Sequence, residues 1–82
     1  MRRAVFLLEE LGDRLAFPHS SHVRGADRLR ELRPNAGHSV WRAFYRRIGD
    51  RMWIGAFSAH DYEGAARRAG ARLERIERGL DR

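Results

Sequence analysis

The sequence contains no cysteine, which excludes disulfide bonds, thiolate metal sites and a cysteine nucleophile. A chain without disulfides suits a reducing compartment, so we expect a cytoplasmic location. The longest stretches without a charged side chain, 15–23 and 52–60, are nine residues each. A membrane-spanning helix needs about 20 apolar residues. We therefore expect no membrane span, and the apolar segment that ends at Glu9 is too short for a secretory signal.

Lysine is absent as well, so all 17 basic side chains are arginines. Because only 11 acidic residues oppose them, the formal net charge is +6. An arginine guanidinium binds phosphate through two parallel hydrogen bonds and stacks on aromatic rings, which favours nucleic acid as a partner, followed by an acidic protein surface. A second explanation is open, because a GC-rich genome favours arginine codons over lysine codons.

The remaining composition is that of a small folded domain. Hydrophobic residues make up 43% of the 82 residues and aromatic residues 10%, which is too apolar for a disordered basic tail. A chain of this length can bury one core but not two. We therefore predict a single domain over residues 1–82, with the excess charge on a folded surface.

Apolar periodicity predicts a helix near each end of the chain. Residues 2–11 carry apolar side chains at helical spacing, and Gly12 is a typical helix stop. Residues 62–80 carry a continuous apolar stripe. Ser58 and Asp61, three residues apart, can form a capping box ahead of that second helix.

The middle of the chain predicts three strands. The segment 13–24, with a proline and two serines, is expected to be a loop from which Leu15 and Phe17 reach the core. A charged strand follows over 28–33, and 34–39 is expected to be a loop. We predict a small α+β fold in which both helices cover one face of a three-stranded antiparallel sheet.

The second and third strands, 40–48 and 51–58, flank a two-residue Gly49-Asp50 turn that is typical of a hairpin. This turn sets the register, with Ile48 opposite Arg51 and one-for-one pairing beyond. One face of the hairpin is then apolar except at its ends and is expected to pack on the helices. That face consists of Trp41, Ala43, Tyr45, Arg47, Met52, Ile54, Ala56 and Ser58.

The opposite face, termed here the arginine-rich face, combines arginine with aromatic rings. Its members are Arg42, Phe44, Arg46, Ile48, Arg51, Trp53, Gly55 and Phe57. The register places Arg42 opposite Phe57 and Arg46 opposite Trp53. Arginine beside an aromatic ring is the chemistry of base stacking and phosphate capture.

The charged strand is expected to join the sheet with Arg33 opposite Val40. This register adds Leu29, Glu31 and Arg33 to the arginine-rich face and puts Glu31 beside Arg42. Two interpretations of the face are open. It binds nucleic acid, or its arginines only solvate the open side of a two-layer domain through weak cation–π contacts.

Several short motifs follow one another in an ordered series. A Leu-Gly pair ends the first helix, a loop contains proline, a Leu-Arg-Glu-Leu-Arg strand follows, and an aromatic-Arg-x-x-Tyr strand leads to a hairpin return ending in Phe. The matching residues are Leu11-Gly12, Pro18, Leu29–Arg33, Trp41–Tyr45 and Phe57. In order and spacing, this arrangement over Val5–Phe57 resembles the HigB branch of the RelE-type toxins, including its phage-derived relatives.

The resemblance implies an endonuclease that cleaves mRNA on the ribosome and is held inactive by a small helix-turn-helix antitoxin. It implies chemistry without metal or cofactor, in which a ribose 2′-hydroxyl attacks the adjacent phosphate. Such a reaction needs positive charge at the phosphate and groups that move protons. Family members usually begin with a β-strand and a longer first helix, so the resemblance also implies that this chain is shortened at its N-terminus.

The family's RNA-facing arginines correspond to Arg33 and Arg42, which we predict to be catalytic. The family's return strand ends in a basic cluster, where this chain has His60 instead. Histidine transfers protons near neutral pH, whereas arginine keeps its proton. We therefore predict His60 as the acid or base, with Glu31 or Tyr62 as candidate helpers. The alternative is that His60 is simply exposed at the start of the last helix.

Further RNA contacts are expected from Arg24, Arg46, Arg51 and Trp53. No metal site is expected, since the His19 and His22 pair lacks a third ligand at a recognisable spacing. A different class of function also fits the sequence. The chain would then be a degenerate, non-catalytic relative that binds an antitoxin or nucleic acid without cleaving it.

Overall fold

Residues 1–80, which the computed structural model describes, form two α-helices and four β-strands. These are α1 (Arg2–Leu11), β1 (Ser20–His22), β2 (Arg30–Leu32), β3 (Arg42–Ile48), β4 (Arg51–Ser58) and α2 (Tyr62–Leu80). The last two residues of the predicted domain, 81 and 82, lie outside the described residues. Within residues 1–80, no helix is long and apolar enough to cross a membrane. The α+β class is confirmed.

The four strands form one antiparallel sheet in the order β1-β2-β3-β4. The prediction of three strands is wrong, because β1 forms within the segment expected to be a loop. Its polar sequence shows no alternation, and tertiary contacts hold it instead. Ser20 is fully buried and shares a hydrogen bond of 2.5 Å with the hydroxyl of Tyr45, while its Oγ accepts one of 3.0 Å from Arg30 Nε.

The hairpin of β3 and β4 follows the predicted register only for its first half. Pairing is as predicted from Ile48 opposite Arg51 up to Tyr45 opposite Ile54, and it includes Arg46 opposite Trp53. A register shift then follows. The extra residue is Gly55, which makes a bulge.

The bulge changes the partners at the far end of the hairpin. Arg42 pairs with Ser58, so the prediction that it lies opposite Phe57 is wrong. Phe57 moves to the other face, where it pairs with Ala43 and stays 50% exposed. The bulge residue packs closely on α2, where a Cβ on Gly55 would lie 2.9 Å from the Cα of Ala69.

The register of β2 against β3 also differs from the prediction. Glu31 pairs with Phe44 and Leu32 with Ala43, so the expected pairing of Arg33 with Val40 is wrong by two residues. A shift of two leaves every side chain on its predicted face. Glu31 therefore stays on the arginine-rich face.

The helices lie on opposite faces of the sheet, so the prediction of helices on one face is wrong. Ala43 and Tyr45 share a core cluster with α1 residues, whereas the alternating Phe44 and Ile48 share one with α2 residues. Both faces of β3 carry apolar side chains, and each needs a cover. The arginine-rich face is therefore covered by α2 and is not the open face that the sequence suggested.

In the loop between α1 and β1, the two side chains that were predicted to reach the core differ in burial. Leu15 is buried at 3% exposure, as predicted. Phe17 is 73% exposed, so the prediction that it reaches the core is wrong. The core beneath α1 is formed by Leu15 together with buried residues such as Leu8 and Leu32, and Phe17 lies outside it.

The start of α2 is fixed by two short-range hydrogen bonds. The Ser58 Oγ accepts the backbone N–H of Asp61 at 2.8 Å, but the helix begins at Tyr62, so the prediction of a capping box with Ser58 as the cap is wrong. The Asp61 carboxylate in turn accepts the N–H of Gly64 at 3.1 Å and caps the helix. These bonds carry His60 and Tyr62 to the end of the sheet where Arg42 begins β3.

Candidate active site

Glu31 is the centre of a polar cluster that lies between the sheet and the first turn of α2. Its side chain is only 7% exposed. Its Oε1 accepts a hydrogen bond of 2.7 Å from Arg33 Nη1, and its Oε2 accepts a short one from the Tyr62 hydroxyl. A buried carboxylate is costly unless it is paired and hydrogen-bonded, and both conditions hold here. We call Glu31, Arg33, Arg42 and Tyr62 the Glu31 cluster.

The Tyr62 hydroxyl keeps its proton more strongly than an ordinary tyrosine. Burial, the hydrogen bond to Glu31 and the negative charge of Glu31 together raise its pKa from 10.0 to about 12. The positive charges of Arg42 and Arg33 act in the opposite direction and lower the pKa in part. At neutral pH Tyr62 is therefore a proton donor and not a base.

Arg33 connects the cluster to the loop before β1. Its Nε donates to the Pro18 carbonyl at 3.0 Å, and its guanidinium carbon lies 5.1 Å from the centre of the Phe17 ring. On another side it lies against Gly37, where a Cβ would come within 2.6 Å of Nη2. Glycine at position 37 thus makes room for the guanidinium.

The Arg42 side chain is hydrogen-bonded to the loop that precedes β3. Its Nη1 donates to the carbonyls of Ser39 and Trp41 at 2.5 and 2.8 Å, and its Nη2 donates to Gly37 at 3.3 Å. This loop contains two non-glycine residues with positive φ, Asn35 at 55° and Ala36 at 53°. Left-handed residues of this kind persist where the surroundings fix them and cluster at functional sites.

His60 lies beside the cluster at a shallow depression of about 120 Å³. Its side chain is exposed, so it can exchange protons with solvent or substrate. The depression is lined by Val40, Arg42, Ser58, Ala59, His60 and Tyr62. The structure therefore brings all three predicted catalytic residues, Arg33, Arg42 and His60, to the same end of the sheet.

The predicted RNA-binding residues do not join this cluster. Arg46 has a side chain that is 11% exposed, and it donates to the carbonyls of Asp27 and Arg28 at 3.0 and 3.4 Å. Trp53 is half-buried against the core beneath α2. Both side chains therefore have structural contacts in this fold.

The other two predicted RNA-binding residues are exposed and border two different clefts. Arg51 follows the hairpin turn and borders a cleft with Val5 and Glu9 of α1. Arg24 borders a larger cleft of about 670 Å³ between the loop before β2 and α2. Their role in RNA binding stays a prediction.

The sequence predicts only a helping role for Glu31 and Tyr62, places Phe17 in the core and gives no role to Gly37. Tyr62 was expected on the apolar stripe of α2, and only the approach of α2 to the arginine-rich face brings it to Glu31. The sequence around Glu31 could have indicated its central place, because a carboxylate near two arginines on a short strand is expected to pair with one of them. For Gly37, the Pro-Asn-Ala-Gly loop predicted a turn but not the guanidinium against it.

Within residues 1–80, no group of three or more His, Cys, Asp or Glu side chains is arranged to hold a metal ion. Comparison with known proteins adds no assignment, since no family model, no curated protein and no solved structure matches the chain.

Proposed function

We propose that this chain is a toxin of the RelE and HigB type that cleaves mRNA on the ribosome. The observation that carries the proposal is the meeting of Glu31, Arg33, Arg42 and Tyr62 beside the depression that holds His60. Positive groups and proton-transferring groups at one point are what phosphate cleavage by a ribose hydroxyl requires. The side chains of the Glu31 cluster are hydrogen-bonded to one another or to the backbone, and they lie on a sheet that is packed on both faces. Such support favours a site whose geometry is set before RNA binds.

The proposed reaction needs one proton removed and one supplied. The 2′-oxygen loses its proton to a base and bonds to phosphorus, and the bond from phosphorus to the 5′-oxygen breaks. An acid gives the leaving 5′-oxygen a proton. The products are a 2′,3′-cyclic phosphate on one fragment and a 5′-hydroxyl on the other.

The roles follow from the chemistry of each side chain. Arg33 and Arg42 offset the negative charge that develops on the phosphate oxygens. Tyr62, whose pKa of about 12 keeps it protonated, turns from Glu31 to the leaving 5′-oxygen and gives it a proton. His60, exposed at the depression, is the base that takes the proton of the 2′-hydroxyl. We expect a helix-turn-helix antitoxin as the neutralising partner, as the resemblance implies.

Growth on induced expression tests the proposal. The wild-type chain should arrest growth and shorten mRNA, and His60→Ala should relieve both effects because an exposed proton-transferring group is lost while the fold is kept. His22→Ala is the matched control, since His22 is also exposed but belongs to β1 and does not line the depression. Growth that continues with intact mRNA under wild-type expression would contradict the proposal.

A second candidate function is a non-catalytic relative that binds a partner without cleaving RNA. The observation in its favour is that Arg42 already donates to three backbone carbonyls and that Arg33 is bonded to Pro18 and Glu31. Such arginines can serve the fold alone. If His60→Ala and wild type are equally harmless while Arg42→Ala loses thermal stability, this second candidate is favoured.

A further inference from the structure

Phe17 is the most exposed of the large apolar side chains in the described part of the chain, at 73%. Single exposed apolar residues are common and need no function by themselves. What distinguishes Phe17 is its neighbour. The guanidinium carbon of Arg33 lies 5.1 Å from the centre of the ring and occupies a position over it.

The guanidinium beside the ring is held on more than one side. Arg33 Nε donates to the carbonyl of Pro18, the residue after Phe17, at 3.0 Å. Its Nη1 donates to Glu31 at 2.7 Å. Because Arg33 cannot swing away without losing these bonds, the ring has a fixed cationic support.

The backbone that carries the ring is fixed as well. The N–H groups of His19 and Ser20 both donate to the Ala16 carbonyl, at 2.9 and 3.2 Å, which closes a turn around Phe17. The Arg33 N–H also donates to the His19 carbonyl at 2.8 Å. An aromatic ring on a rigid turn loses little conformational entropy when a flat partner stacks on it.

Phe17 is also connected to the proposed reaction centre by a short chain of contacts. Arg33 separates the ring from Glu31, and Glu31 accepts the hydroxyl of Tyr62. We propose that Phe17 stacks a nucleobase of single-stranded RNA beside the Glu31 cluster and so positions the strand. This inference depends on the proposed function. Within that function, Phe17 is a residue that positions the RNA substrate.

The chemistry of the ring favours a base over other flat groups. A phenyl ring has no hydrogen-bonding atom, so it accepts any base and gives affinity without sequence preference. The formal net charge of +6 attracts a polyanion to the surface, which is how single-stranded nucleic acid reaches such rings. Loss of one stacking ring lowers affinity by about 5- to 150-fold.

Fluorescence of a short single-stranded RNA that contains 2-aminopurine tests this inference on the purified full chain. Stacking on Phe17 should quench the 2-aminopurine. Phe17→Ala should weaken binding by about 5- to 150-fold and remove the quenching, whereas Phe17→Trp should keep both. Because Phe17 is exposed, Phe17→Ala should leave the melting temperature unchanged.

Phe6→Ala is the matched control, because Phe6 is also exposed, at 53%, but belongs to α1. The inference is overturned if Phe17→Ala binds the RNA as tightly as wild type, or if wild type binds no RNA. It is also overturned if sedimentation shows a wild-type dimer that Phe17→Ala dissociates, because a second copy then covers the ring. Binding that depends on Phe17 without cleavage on ribosomes would contradict the proposed function and leave this inference intact.

Discussion

The hydrogen bond from the Tyr62 hydroxyl to Glu31 connects the first turn of α2 to the sheet, beside the ion pair of Glu31 and Arg33. A carboxylate at 7% side-chain exposure with two hydrogen-bonded partners is a fixed acceptor. Burial of the hydroxyl and this carboxylate together raise the pKa of Tyr62, and the two nearby arginines oppose that effect only in part. The same contacts therefore keep the Tyr62 hydroxyl protonated at neutral pH.

The titration of Tyr62 can be followed by NMR of ¹³C-labelled tyrosine, which separates it from Tyr45. We expect its pKa at about 12 in the wild type, and closer to the ordinary 10.0 in Glu31→Gln, because the negative charge is removed. Since the pKa in the folded state is raised, the associated stability is complete below pH 10 and declines as the pH rises towards 12. If the pKa of Tyr62 is unchanged in Glu31→Gln, then Glu31 does not stabilise the protonated Tyr62 hydroxyl.

At the scale of elements, α2 packs closely on β4 because both surfaces are small at the point of contact. A Cβ on Gly55 would lie 2.9 Å from the Cα and 3.0 Å from the Cβ of Ala69. This approach covers the arginine-rich face and delivers Tyr62 to Glu31. The absence of a side chain at Gly55, where the bulge lies, therefore allows α2 to pack this closely on the sheet.

Gly55→Ala should lower the free energy of unfolding by about 1–3 kcal/mol, because the added methyl group must push α2 away from the sheet. Urea unfolding measures this loss. Gly70→Ala is the matched control within α2, since nothing lies within 4 Å of its added Cβ, and it should be neutral or stabilise by up to about 1 kcal/mol. A Gly55→Ala protein as stable as wild type would contradict the packing described here.

The sequence predicted the elements that local chemistry specifies. The Gly49-Asp50 turn determines the first half of the hairpin register, and the helical spacing of residues 2–11 matches α1 in full. It did not predict β1, because tertiary partners such as Tyr45 hold Ser20 in place. Nor did it place α2, because both faces of β3 are apolar and local pattern cannot choose between them.

At the scale of the whole molecule, the 17 arginines divide by what they contact. Those of α2 from Arg67 onward that the structure describes are exposed, although Arg72 donates to the Gly55 carbonyl at 2.9 Å and Arg68 pairs with Asp61 at 3.3 Å. Arg33, Arg42 and Arg46 instead donate to backbone carbonyls or carboxylates and hold loops against the sheet. A net charge of +6 attracts polyanions, and in the proposed function Arg33 and Arg42 of the Glu31 cluster are the arginines that act on the phosphate.

The most direct test of the central claim is an analysis of RNA ends after incubation of the purified chain with translating ribosomes. We predict fragments with a 2′,3′-cyclic phosphate and a 5′-hydroxyl, and no cleavage where the nucleotide at the cut carries a 2′-deoxyribose. His60→Ala should slow cleavage by about 10²–10⁴-fold, as expected for a lost proton-transferring group. Intact mRNA, or fragments that carry a 5′-phosphate, would contradict the account.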